Sequence, residues 1–182
     1  SKIELIKKEC LRRKIYLIED CAVAQGVIYK NNPLGSFGDV SILSFGKGKI
    51  IDAGFGGALL TDNLQVIEML KGIKKKLKIL NNNSIKKINL INNLHTNLYN
   101  KHYLYNKKVN IREFKKKIKK NSKCFLLNIS HNQIKIIYNK CRKIKKYISL
   151  RKKNYKKIKN SILELKKNCI KIPTLKNGEI PW

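Results

Sequence analysis

Acidic side chains nearly disappear from this sequence after its first third. Asp and Glu number 11 against 42 Lys and Arg, a net charge of +31. Residues 1–62 hold nine basic and seven acidic side chains, a net of +2, so residues 63–182 carry the other +29. Between Glu68 and Glu164 the only acid is Glu113. A nearly neutral segment is therefore joined to a very basic one. Arginine is also scarce: after residue 13 there are only Arg112, Arg142 and Arg151. A surface selected to bind phosphates favours arginine, whose planar fork pairs them bidentately. Here lysine rises together with asparagine and isoleucine, as in Leu80-Asn81-Asn82-Asn83-Ser84-Ile85-Lys86-Lys87-Ile88-Asn89. That joint rise is the mark of AT-rich coding. A polyanion-binding module is the alternative such charge allows. Tyr99, Tyr103, Tyr105, Phe114 and Phe125 form no base-stacking motif, and nucleic acid is not the expected partner.

Other absences narrow the field. No apolar run is long enough to span a bilayer. The five cysteines (Cys10, Cys21, Cys124, Cys141, Cys169) are odd in number and never form C-x-x-C. They make neither a disulfide framework nor a zinc site, and reduced thiols in the cytoplasm are expected. His95, His102 and His131 are scattered, so no metal is expected. The start, Ser1-Lys2-Ile3-Glu4, lacks a signal core and an initiator Met, and Glu179-Ile180-Pro181-Trp182 ends without a cap. The chain reads as an internal piece of a longer protein, inactive on its own. Its hydrophobic content of 42% is ordinary for a globular domain.

The apolar pattern predicts an α/β arrangement. Residues 2–13 read as an amphipathic helix end, with Ile3, Leu5, Ile6 and Cys10 on one side. Ile15-Tyr16-Leu17-Ile18 suits a buried parallel strand that ends in Glu19-Asp20. Asn31-Asn32-Pro33-Leu34-Gly35 signals a turn. Val40–Phe45 is a second strand, a glycine-punctuated loop runs from Gly46 to Gly57, and Ala58–Thr61 is a third strand. Asp62 or Asn63 is placed to cap a following helix. Residues 71–125 suggest helical pieces with a mobile connection. From Asn132 to Lys166, Ile134, Ile137, Cys141, Ile144, Ile148, Tyr155, Ile158, Ile162 and Leu165 recur at nearly helical steps, predicting one long helix with Ser130 before it as cap. Ile172-Pro173 and Asn177-Gly178 end it.

In such sheets ligands bind at the carboxyl ends of the strands. Asp20 and Ser44 lie at such ends, and Lys49 lies in the loop after one. An amine in a glycine-rich loop can form a Schiff base. Pyridoxal-phosphate (PLP) chemistry needs that amine and an acid beside the pyridine nitrogen. The cofactor phosphate needs hydroxyls and backbone N–H groups, which Ser44 and the nearby glycines offer. Each element taken alone has a plainer reading. A strand-end Asp is commonly a cap, a lysine between glycines is commonly solvated, and Gly54, Gly56 and Gly57 fit an ordinary hairpin. Composition and spacing alone reach an α/β domain with a candidate anion site.

The blocks taken jointly go further. Glu19-Asp20-Cys21-Ala22-Val23-Ala24-Gln25-Gly26, Gly35-Ser36-Phe37-Gly38-Asp39, Ser44-Phe45-Gly46-Lys47-Gly48-Lys49 and Gly54-Phe55-Gly56-Gly57 resemble, in order and spacing, the DegT/DnrJ/StrS sugar aminotransferase family. That family reads E-D-x-A-Q-A-x-G, G-S-x-G-D, S-F-x-x-x-K and G-x-G-G. The resemblance is close over residues 15–62 and loose from Ser130 onward. It implies part of a fold-type I PLP-transferase large domain with a mostly parallel sheet, then a long amphipathic helix leading into a truncated small domain. The implied division is 1–130, with a basic insertion at about 71–125, and 131–182. It also implies a homodimer with sites at the subunit interface.

The resemblance assigns roles. Lys49 would carry PLP as the Schiff-base lysine and shuttle protons, Asp20 would pair with the pyridine nitrogen, Ala22 would pack on the ring, and Ser44 would bind the phosphate. Lys47 is the rival, at a variable position of its motif. Asn128, in Leu127-Asn128-Ile129-Ser130, stands where the family reaches across the dimer, but the family's following Arg is missing. Val23 and Phe55 stand where Gln and Glu are common. The implied reaction transfers an amino group from glutamate to a nucleotide-linked keto-sugar, for surface-polysaccharide or antibiotic-type sugars. A dehydratase variant would replace Lys49. A non-catalytic relic of the family is the remaining alternative.

Overall fold

The structure is a computed structural model that describes residues 2–100, 112, 115–116, 119, 127–164, 173–175 and 179–181. Tyr103, Tyr105, Phe114, Phe125, His102, Cys124, Leu165, Cys169 and the Ile172 and Asn177-Gly178 breaks lie outside the described residues. The backbone packs as two compact units: Ser1–Ile67 with Lys135–Trp182, and Glu68–Ile134.

The first unit opens with α1, Ile3–Arg12. Glu9 clamps its last turn, pairing with Arg12 at 2.7 Å and Arg13 at 2.5 Å. The helix ends where Lys14 turns to φ 55, a left-handed exit. The first strand, β1, covers Ile18–Asp20. It differs from the strand the apolar run predicts. Ile15 and Tyr16 precede it and are exposed, and Ile18 is itself 60% exposed. The inward residue of β1 is Glu19, only 7% exposed. A carboxylate occupies that buried position because backbone N–H groups surround it there, as described below. Residues spaced by two share a face of a strand, so burying Glu19 turns Ile18 and Asp20 outward.

A small antiparallel hairpin follows, β2 (Ile28–Tyr29) with β3 (Asn32–Pro33). Its two turn residues, Lys30 (φ 49) and Asn31 (φ 65), are both left-handed, the geometry that matches strand twist in a two-residue loop. Next come β4 (Val40–Ser44) and β5 (Gly57–Leu60). The sheet order is β1-β4-β5. β1 and β4 run parallel, with Asp20 opposite Ile42, and β4 and β5 run antiparallel, with Ser44 opposite Gly57. Among the described residues the sheet is therefore mixed. Cys21, Phe37, Phe45, Ile51 and Ile137 form the buried apolar set of this unit.

The helix α2, Leu64–Lys76, is capped by Asn63, whose Oδ1 accepts from Val66 N at 3.2 Å. Lys74, Lys75 and Lys76 fill its last turn, where cations suit the helix dipole. In the second unit α3, Asn82–Tyr99, starts at Asn81, which accepts from Ser84 N at 2.9 Å. Leu80, Ile88 and Ile91 are buried there.

The predicted single long helix is two, α4 (His131–Cys141) and α5 (Ile144–Glu164), separated by a turn at Arg142-Lys143. Ser130 does cap α4, its Oγ accepting from Gln133 N at 3.3 Å. The break lets two helices dock on two glycines. A side chain at Gly56 would lie 3.0 Å from Ile137 Cδ1 of α4, and one at Gly26 would lie 2.7 Å from Ile148 Cδ1 of α5.

Candidate active site

The sheet sets the geometry of the candidate site. Asp20 pairs with Ile42, and Ser44 lies two residues further along β4. The pleat therefore puts Asp20, Ile42 and Ser44 on one face, at the carboxyl end of the parallel pair. Glu19 and Ser41 take the opposite, buried face. Asp20 stays exposed, and its Oδ1 accepts from Ala22 N at 3.0 Å, which fixes the turn carrying Ala22. Ser44 is half-buried; its Oγ accepts from Gly46 N at 3.4 Å, and its carbonyl accepts from Gln25 Nε2 at 2.8 Å. Cys21 lies beneath this turn. Burial first, and then the charges of Glu19 and Asp20, push its thiol above the ordinary value.

Lys49 lies in the loop that closes between β4 and β5. Phe45 N donates to Gly56 O and Ala53 N to Phe45 O, both at 2.9 Å, and these bonds shut the loop at its base. Within it Lys49 N donates to Gly46 O at 3.2 Å. Lys49 is half-buried whereas Lys47 is exposed. Gly48 and Gly54 both have φ +81 with open space where a side chain would go, so backbone conformation rather than crowding favours glycine there. Asn128 belongs to the second unit. Its Nδ2 donates to Lys74 O at 2.8 Å and to Leu77 O at 3.3 Å, and its backbone bridges to Ile79.

Reasoning from sequence missed several groups around the loop and the turn. Asp52 accepts from Gly48 N and from Gly54 N, both at 2.8 Å. Lys140 of α4 donates to Asp52 O, and Arg151 of α5 donates to Gly48 O at 3.4 Å. Glu19 accepts from Gly35 N at 3.0 Å and from Phe37 N and Gly38 N at 2.7 Å, which ties the first motif block to the second. Gln25 is 5% exposed, and its Oε1 is buried without a partner among the described residues. Two signals were present in the sequence: a glycine four residues before Asp52 and another two after it, and an acid in the strand's alternation at Glu19.

Among the described residues no three His, Cys, Asp or Glu side chains gather as a metal site, and no helix is long and apolar enough to cross a membrane. A sequence model of the DegT/DnrJ/EryC1/StrS aminotransferase family matches residues 1–178. The chain belongs to this family. Its similarity to characterised members lies in shorter stretches. It is 35% identical over 74 residues to GDP-perosamine synthase of Vibrio cholerae, which covers 41% of this chain and 20% of that protein. It is 43% identical over 61 residues to GDP-perosamine synthase of Escherichia coli O157:H7, covering 34% and 16%. To L-glutamine:scyllo-inosose aminotransferase of Streptomyces griseus it is 40% identical over 55 residues, covering 30% and 13%. The matched stretches thus span a fifth or less of these relatives.

Proposed function

We propose that this chain serves a PLP-dependent aminotransferase that moves an amino group from glutamate to a nucleotide-linked keto-sugar, acting in the cytoplasm as a homodimer. The observation that carries the reading is a juxtaposition. A carboxylate (Asp20) and a hydroxyl (Ser44) share one face and one end of two parallel strands, and a fastened loop bearing a half-buried lysine follows directly. The donor set fits the cofactor. Bound PLP supplies an electron sink that lets the substrate carbon exchange protons.

The chain's own residues would serve it as follows. The Asp20 carboxylate holds a proton on the pyridine nitrogen. The small Ala22 leaves room for a ring to lie flat. The Ser44 hydroxyl would donate to the phosphate. The Lys49 amine would hold the cofactor and, once freed from it by the incoming amine, would carry the proton at the reacting carbon. Asn128, with Nδ2 already committed, would offer only Oδ1 to a partner's site.

Two relatives are named for a GDP-linked sugar, which supports the nucleotide-sugar substrate. Another is named for glutamine as donor and a keto-cyclitol as acceptor, so donor and acceptor are tested together. The decisive experiment takes the full-length protein, adds PLP, records the visible absorbance band, reduces with borohydride and maps the labelled peptide. The expected result is a label on Lys49 that disappears in Lys49→Ala. A label on Lys47 alone, or no band, would end the proposal. Release of 2-oxoglutarate when glutamate is supplied identifies the donor, and release only with glutamine would reassign it.

A further inference from the structure

Four interactions converge on the two sides of Lys49, and none of them involves Lys49 itself. The Asp52 carboxylate is shared between Gly48 N and Gly54 N, at 2.8 Å each, one oxygen for each amide. It thereby joins the residue immediately before Lys49 to the far arm of the loop. The main chain is gripped at the same two residues from outside: Lys140 donates to Asp52 O, and Arg151 donates to Gly48 O at 3.4 Å. At the left-handed Gly48 and Gly54 a Cβ would meet nothing among the described residues, so packing does not define their positions. Without a staple this would be a slack glycine loop. With it, three of its residues are pinned.

We infer that Asp52 is a positioning residue for Lys49, holding the loop so that the amine of residue 49, and not that of the exposed Lys47, meets the cofactor. This deepens the reading given above and rests on it. The physical reason is entropic as well as enthalpic. A nucleophile held in one loop conformation does not spend its binding energy on ordering that loop when the ligand arrives. A charged acceptor makes stronger bonds to amides than a neutral one. Lys140 and Arg151 fasten the main chain on either side of Lys49, at Asp52 O and Gly48 O.

The test compares the wild-type protein with Asp52→Ala and Asp52→Asn. Each is treated with PLP and borohydride, and the pyridoxyl label is quantified separately at Lys49 and Lys47. Amide hydrogen exchange of Gly48 and Gly54 is measured without cofactor. In Asp52→Ala the Lys49-to-Lys47 label ratio should fall about tenfold, a modest factor because the bonds are only partly shielded from water. Both glycine amides should exchange faster. Asp52→Asn has the same shape but a single acceptor oxygen. It should protect one amide of the two and give an intermediate ratio, and it keeps the test available should the alanine variant fail to fold. If the wild type labels Lys49 and both variants keep its ratio and its exchange rates, this inference falls alone. If the wild type takes no label at Lys49, the proposed function falls and takes the inference with it.

Discussion

Replacing Glu19 by alanine should weaken the first compact unit more than any other single change to an acid. The carboxylate is 7% exposed and accepts three backbone hydrogen bonds, from Gly35 N at 3.0 Å and from Phe37 N and Gly38 N at 2.7 Å. Hydrogen bonds to a charged group contribute about 1.5–3 kcal/mol each. The alanine leaves a space that water can partly enter, so Gly35 and Gly38, both half-buried, recover some of the loss, whereas Phe37 is 8% exposed and recovers little. The net cost works out at about 3 kcal/mol. That is a large share of the roughly 5–15 kcal/mol that holds a domain together. With a urea slope of about 1.5 kcal/mol per molar, the unfolding midpoint should fall by about 2 M at unchanged slope.

The bonding pattern makes the argument sharper. Oε1 takes Phe37 N and Gly38 N, and Oε2 takes Gly35 N. Glu19→Gln can keep its carbonyl oxygen on the first two and lose only the third, so its midpoint should fall by about a third as much. The assay is urea unfolding by circular dichroism, with amide exchange of Phe37 and Gly38 locating the change. Midpoints within about 0.5 M of wild type, with both amides still protected, would refute the reasoning.

Two further outcomes follow from the same region. A side chain at Gly38 would come within 2.6 Å of the Leu17 carbonyl oxygen, which is backbone and cannot swing aside, so Gly38→Ala should cost about 2 kcal/mol or more in the same unfolding assay, and a neutral result would mean that β1 shifts freely. Burial, reinforced by Glu19 and Asp20, raises the Cys21 thiol above its ordinary value, so the folded protein keeps this proton to higher pH than the unfolded chain does. Stability from this group is complete below the ordinary thiol value and is lost as pH rises through the raised one. Iodoacetamide at mildly alkaline pH should accordingly modify Cys21 at least about tenfold more slowly in the native than in the urea-unfolded protein, and equal rates would contradict the buried placement.

The parts of the fold set by local chemistry were legible in the sequence. Asn63 and Ser130 cap helices as their positions before apolar runs suggest, and β4 and β5 fall within a residue of where the apolar pattern places them. The parts set by partners distant in sequence were not. The run Ile15–Ile18 reads as a buried strand, yet the strand starts at Ile18 because Glu19 is drawn inward by amides 16 to 19 residues away. The periodicity from Ile134 onward crosses Arg142-Lys143 without glycine or proline, so nothing local marks the break between α4 and α5. Each helix instead packs beside a glycine distant in sequence, α4 at Gly56 and α5 at Gly26. At the candidate site, Asp20, Ser44 and Lys49 stood out by residue type. Asp52 and Gln25 did not, because each acts on main-chain groups that a sequence does not display.

The grip of Glu19 on its loop also bears on which changes the chain can absorb. The carboxylate recognises amides, and every residue except proline presents the same amide, so the side chains of the loop are nearly invisible to it. Ser36, exposed and bonded through its Oγ to Pro33 O at 2.7 Å, can drift among many residues at little cost to folding. Gly35 (φ +99), where a Cβ would stand 3.2 Å from Ser41 Oγ, and Gly38, where one would stand 2.6 Å from Leu17 O, cannot. A library randomised over residues 35–38 should therefore return a free choice at Ser36 and almost none at Gly35 and Gly38, and the acid whose amide partners lie in this stretch sits outside it.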